Sequence, residues 1–76
     1  MAVRQILSGV VSEFDEHEGL GTVRAEDGRE LPFHCTAIAD GTRTIPVRTP
    51  VAFTVRPGRS GRWEAVGLTP TGAPGE

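Results

Sequence analysis

The sequence predicts an all-β fold, five short antiparallel strands forming a small closed or partly open barrel. Three observations lead there. The 76-residue chain is enough for one small domain. Its ten Gly and six Pro recur at short intervals, and both residues are poor in helix interiors. No stretch sustains a helical period, whereas several alternate with period two or are rich in Val between turn signals.

Each element follows from its residues. Residues 1–5 read as a lead-in to a domain spanning 6–68. Ile6 to Phe14 is β-prone around Val10 and Val11, with a bend or bulge expected at Gly9. D-E-H-E-G (15–19) is a polar turn, and Leu20 to Ala25 is the second strand. E-D-G-R (26–29) carries the Asp-Gly pair that favours hairpins. Glu30 to His34 is the third strand, and Pro32 places it at an edge or bulge because proline cannot donate to a ladder. Cys35 to Ile38 suits one short helical turn.

The stretch 39–50 is a long loop broken by Gly and Pro. Val51 to Arg56 alternates, with Val51, Phe53 and Val55 on one side. P-G-R-S-G-R (57–62) is a flexible turn, and Trp63 to Leu68 is the fifth strand. T-P-T-G-A-P-G-E (69–76) has nothing to bury and reads as a mobile tail. The expected core is Val11, Val23, Leu31, Phe33, Ile38, Val51, Phe53, Val55 and Ala65. Phe53→Ala is expected to harm folding most, by about 3–5 kcal/mol.

Composition narrows the function. Net charge is −2, with eight Arg, no Lys and ten acidic residues. Binding phosphate by charge alone normally needs a basic chain; stacking does not. The start, M-A-V-R-Q-I-L-S, has no signal-peptide shape, and no apolar run is long enough to cross a membrane. Cys35 is the only cysteine and cannot form an internal disulfide. A cytoplasmic location is the resulting expectation, with no membrane partner.

The order of pieces then resembles the bacterial cold-shock domain. It is carried by G-V-V-S-E-F-D-E-H-E-G-L-G-T-V, D-G-R-E-L-P-F-H-C-T-A-I, T-P-V-A-F-T-V and G-R-W-E-A, which together span 9–68. That family has an OB-type barrel and binds single-stranded RNA and DNA on one face. Its first motif is close to K-G-F-G-F-I, and its second is V-F-V-H-F followed by S-A-I, with K-W-F-N before the first. Phe14, Gly19, Gly21 and His34 keep family residues. Glu13 stands at the Trp position and Glu18 at the Lys position. Leu20, Thr22, Pro32 and Cys35 replace aromatic rings, and Thr42 stands at a further aromatic position in the long loop.

The resemblance implies weak binding of single-stranded RNA or DNA with little sequence preference, in an RNA chaperone or a regulator of transcription or translation. Phe14, Leu20, Thr22, Arg24, Arg29, His34 and Trp63 are the candidate contact residues. Arg43, Arg56, Arg59 and Arg62 are further cations within the domain. Rings stacked on bases contribute about 1–3 kcal/mol per base, so the replacements cost affinity. Glu13 and Glu18 add negative charge near the phosphate path. A second function class fits the same replacements: a barrel that recognises a protein partner and has lost nucleic-acid binding.

No catalytic, metal or cofactor site is expected. His34 and Cys35 are neighbours on a strand and should point to opposite faces, and no further ligand stands at metal spacing. G-L-G-T-V is too short for a dinucleotide fingerprint, and no helix follows it.

Overall fold

The computed structural model describes residues 6–39, 41–58 and 61–71. It contains β1 (Leu7–Asp15), β2 (Leu20–Ala25), β3 (Glu30–His34), a 3-10 turn (Cys35–Ala37), β4 (Pro50–Pro57) and β5 (Trp63–Pro70). All pairings between neighbouring strands are antiparallel, in the order β3-β2-β1-β4-β5. The segment that follows β3 and the 3-10 turn closes onto the other end strand, β5, through a parallel Ile38–Leu68 bridge and a hydrogen bond from Ala39 N–H to the Leu68 carbonyl (2.8 Å). The result is a five-stranded OB-type barrel. Among the described residues, no helix is long and apolar enough to cross a membrane.

The bounds of β2 and β3 coincide with the alternation read in the sequence, and β3 lies at an end of the strand order, where Pro32 is tolerated. β5 runs past Leu68 to Pro70, because Thr69 and Pro70 pair with Ala52 and Val51. The expected tail therefore begins later than residue 69. Residues 1–5 of the lead-in and 72–76 of the tail lie outside the described residues, as does Arg59.

Two bulges shape the barrel. The pairing slips by one residue on β1 between Val11 and Glu13, leaving Ser12 as the extra residue. Its hydroxyl donates to the Thr22 carbonyl (3.2 Å). The irregularity expected at Gly9 thus lies further along the strand. At Gly9 the pairing to Ala25 and Val51 is continuous, and a Cβ there would run into the Arg24 carbonyl. A second slip on β5, between Val66 and Thr69, contains Gly67 in the left-handed region (φ 66).

The core holds Val11, Val23, Leu31, Phe33, Ile38, Val51, Phe53 and Ala65, as the alternation requires, joined by Ala25, Ile45 and Leu68. Val55 is half-buried rather than central, being near the end of its strand. Ile45 comes from the long loop, which turns inward there. The loop then docks on β1: Val11 N–H donates to the Thr49 carbonyl (3.0 Å), and Arg48 N–H donates to the Val11 carbonyl (2.7 Å). Each large apolar side chain so buried contributes roughly 1.5–3 kcal/mol.

Candidate nucleic-acid interface

The bulge at Ser12 decides which side chains face out. Without it, alternation from buried Val11 would send Glu13 inward and Phe14 outward. With the extra residue, Glu13 pairs with Thr22 and Phe14 with Gly21. Glu13 is exposed, and Phe14 turns to the core side. Its ring stacks on Phe33 with centroids 5.9 Å apart and planes 9° apart. Gly21 lies between these partners, and a Cβ on it would come within 2.5 Å of Phe33 Cζ.

The outer face of β1–β3 is a grid set by strand register. Asp15, Leu20 and His34 form one row across the three strands; Glu13, Thr22 and Pro32 form the next; Val10, Arg24 and Glu30 form the third. Leu20 is 49% exposed and gives this face its largest apolar contact. Thr22 and Pro32 beside it are partly covered. A groove of about 400 Å³ runs against Glu13, Phe14, Asp15, Leu20, Gly21 and Thr22, so the edge of Phe14 forms part of its wall.

His34 faces outward, opposite Leu20. It also caps the 3-10 turn: Thr36 N–H donates to Nδ1 (3.2 Å), and the Thr36 hydroxyl lies 2.9 Å from the same nitrogen. A backbone N–H can only donate, so Nδ1 is an acceptor and the neutral ring carries its proton on Nε2. That N–H is left available to a ligand. Cys35 opens the 3-10 turn instead of continuing the strand, so the opposite-face expectation does not hold for it. Its Sγ lies 3.9 Å from His34 Nδ1 and packs beside Gly19. Nδ1 is already engaged by Thr36 N–H, so it is not placed as a base for the thiol. Among the described residues, no group of three or more His, Cys, Asp or Glu side chains could hold a metal ion.

The charges are unevenly spread. On the grid, Asp15, Glu13 and Glu30 are acidic and only Arg24 is basic. Arg24 is ion-paired with Glu30 (2.9 Å), and Arg29 in the β2–β3 turn with Asp27 (2.9 Å). Arg29 also donates its backbone N–H to the Asp27 carboxylate (3.0 Å), and this bond is the main reason that Asp27 titrates below the ordinary carboxylate value. Exposed pairs of this kind are worth only about 0–1 kcal/mol, so either arginine can be drawn to a phosphate. Asp15 accepts from the backbone N–H groups of His17 (2.9 Å) and Glu18 (3.2 Å), which ties its carboxylate to the turn. Among the described residues, Arg43, Arg48 and Arg62 have no ion pair.

Leu20, Thr22, Arg24 and His34 therefore share one face, Phe14 lies beneath it, and Arg29 stands at the turn that borders it. Trp63 is elsewhere. It is 54% exposed, opens β5 opposite Pro57, and by alternation is on the side of buried Ala65 rather than of Glu64 and Val66. Glu64 and Val66 instead line a cleft with His34 and Arg56, which strand-by-strand reading of the sequence could not assemble.

No family model matches the chain, and no curated protein sequence matches it. Among solved structures, the drosophila Unr CSD456 chain matches with a TM-score of 0.76 and 26% sequence identity, over 96% of this chain. This chain spans 29% of the length of that one. The fold is that of a cold-shock domain.

Proposed function

We propose that this barrel binds single-stranded RNA or DNA, weakly and with little sequence preference, as a divergent cold-shock protein of bacterial type. The observation that carries the reading is the Leu20–His34 pair on the outer face, where an exposed apolar side chain adjoins an imidazole with a free N–H donor. A base can lie on Leu20 and Thr22 and against the His34 ring, which can stack or donate to a base edge. Arg24 and Arg29 serve phosphates once their exposed ion pairs open. Phe14 supports the groove from below, and Trp63 is an accessory contact at the far hairpin. The role that follows is that of a non-catalytic RNA chaperone or regulator of transcription or translation in the cytoplasm.

Anisotropy of a labelled pyrimidine-rich single strand at low salt tests this reading. Saturable binding that weakens as salt rises supports it, and no saturation up to hundreds of micromolar sinks it. One observation favours a second reading: Glu13 and Asp15 line the β1 side of the face, as a module for a basic protein partner would require. A partner recovered from nuclease-treated lysate supports the second reading, and partners lost on nuclease treatment support the first.

A further inference from the structure

Two of the three acidic side chains of the grid, Glu13 and Asp15, lie along β1, and the third, Glu30 on β3, is paired with Arg24. The β3 border of the face leads past His34 into a cleft of about 340 Å³ between the 3-10 turn and β5. Ala37, Ile38 and Val66 supply its apolar lining, and Arg56 and Glu64 stand on its β4–β5 side. That volume is at the lower end of the roughly 300–1,000 Å³ typical of small-ligand sites, which suits a single nucleotide. Arg56 is held by Glu64 through a loose contact of 3.5 Å and is well exposed, so its guanidinium is easily released.

From this arrangement we infer that a bound single strand leaves the β1–β3 face at His34 and places its next nucleotide in the cleft, with Arg56 on the phosphate. The inference rests on the nucleic-acid reading above. Glu13 and Asp15 on β1 repel a polyanion, whereas Glu30 and Glu64 on the His34 side are each paired with an arginine, and Leu20 and His34 form a row that points from one side to the other. Glu64 acts against binding by competing for Arg56.

A salt series of anisotropy titrations with labelled oligothymidine, on the full chain and on R56Q, R56K, E64Q and R56Q/E64Q, tests this. R56Q should bind about tenfold more weakly at low salt, as loss of a charge-assisted hydrogen bond implies. It should also flatten the slope of log K against log salt by about 0.7, and R56K should restore that slope. E64Q should bind about threefold more tightly, with the gain absent in the R56Q background. Thermal unfolding of each variant checks that the fold is intact. If the full chain binds while R56Q and E64Q match it, the strand does not enter the cleft and only this inference falls. If the full chain does not bind, both readings fall.

Discussion

Phe14 stacks on Phe33 across Gly21, with ring centroids 5.9 Å apart. An aromatic residue at the border of the candidate interface is thereby committed to the core. Gly21→Ala would force a methyl group against the Phe33 ring and the Glu13 carbonyl, each within 2.7 Å of the new Cβ. We expect a loss of about 1–3 kcal/mol, the range for overpacking, in chemical denaturation. Phe14→Ala should cost less than Phe53→Ala, because Phe53 is fully buried and Phe14 only half-buried. Equal stability of Phe14→Ala and the parent chain would contradict the stacking.

His34 should be found as the Nε2–H tautomer. Long-range nitrogen–proton correlation spectra of the imidazole at neutral pH read this directly. His34→Ala should loosen the 3-10 turn by about 0.5–1 kcal/mol, as lost caps generally do, and His34→Asn should recover part of it. A proton on Nδ1 would contradict the bond from Thr36 N–H.

Stability should have an acid limb from Asp27. Its folded-state pKa is lowered, chiefly by the Arg29 backbone N–H. Such a group stabilises above its unfolded pKa, and the contribution is lost as pH falls through the lower folded value. Asp27→Asn should therefore flatten the pH dependence of unfolding in the acid range and leave neutral pH little changed in slope. The Asp27 side chain is exposed to solvent, so the effect is small, and NMR titration of its carboxyl carbon is the sharper check.

Much of this structure is legible in the sequence. β2 and β3 declare themselves through alternation and the Asp-Gly turn, and Pro32 correctly marks β3 as an end strand. The bulge at Ser12 is not declared, because a bulge is a property of two paired strands and only one is read at a time. Its one trace is Val11 and Phe14, both core-side yet separated by an odd step around Glu13. Ile45 is invisible for a related reason: a single apolar residue in a Gly- and Pro-rich loop has no period. At the site, Leu20, Thr22 and His34 follow from strand parity, whereas the cleft with Arg56 and Glu64 depends on barrel closure.

Returning a ring to the face should strengthen binding. Thr22 lies centrally in the grid between Glu13 and Pro32. Thr22→Phe should raise affinity for a single strand about fivefold to a hundredfold, from roughly 1–3 kcal/mol per stacked base. Glu13→Gln should add a smaller gain that fades as salt rises, because it acts through screened charge. Unchanged affinity in Thr22→Phe would place the binding path off this face.

The most direct measurement is a heteronuclear NMR titration of the full chain with a short pyrimidine-rich single strand at low salt. Saturable shifts are expected at Leu20, Thr22, Arg24 and His34, with small shifts at buried Val51 and Phe53 and reversal on adding salt. Shifts that are absent, or confined to residues away from β2 and β3, would contradict it.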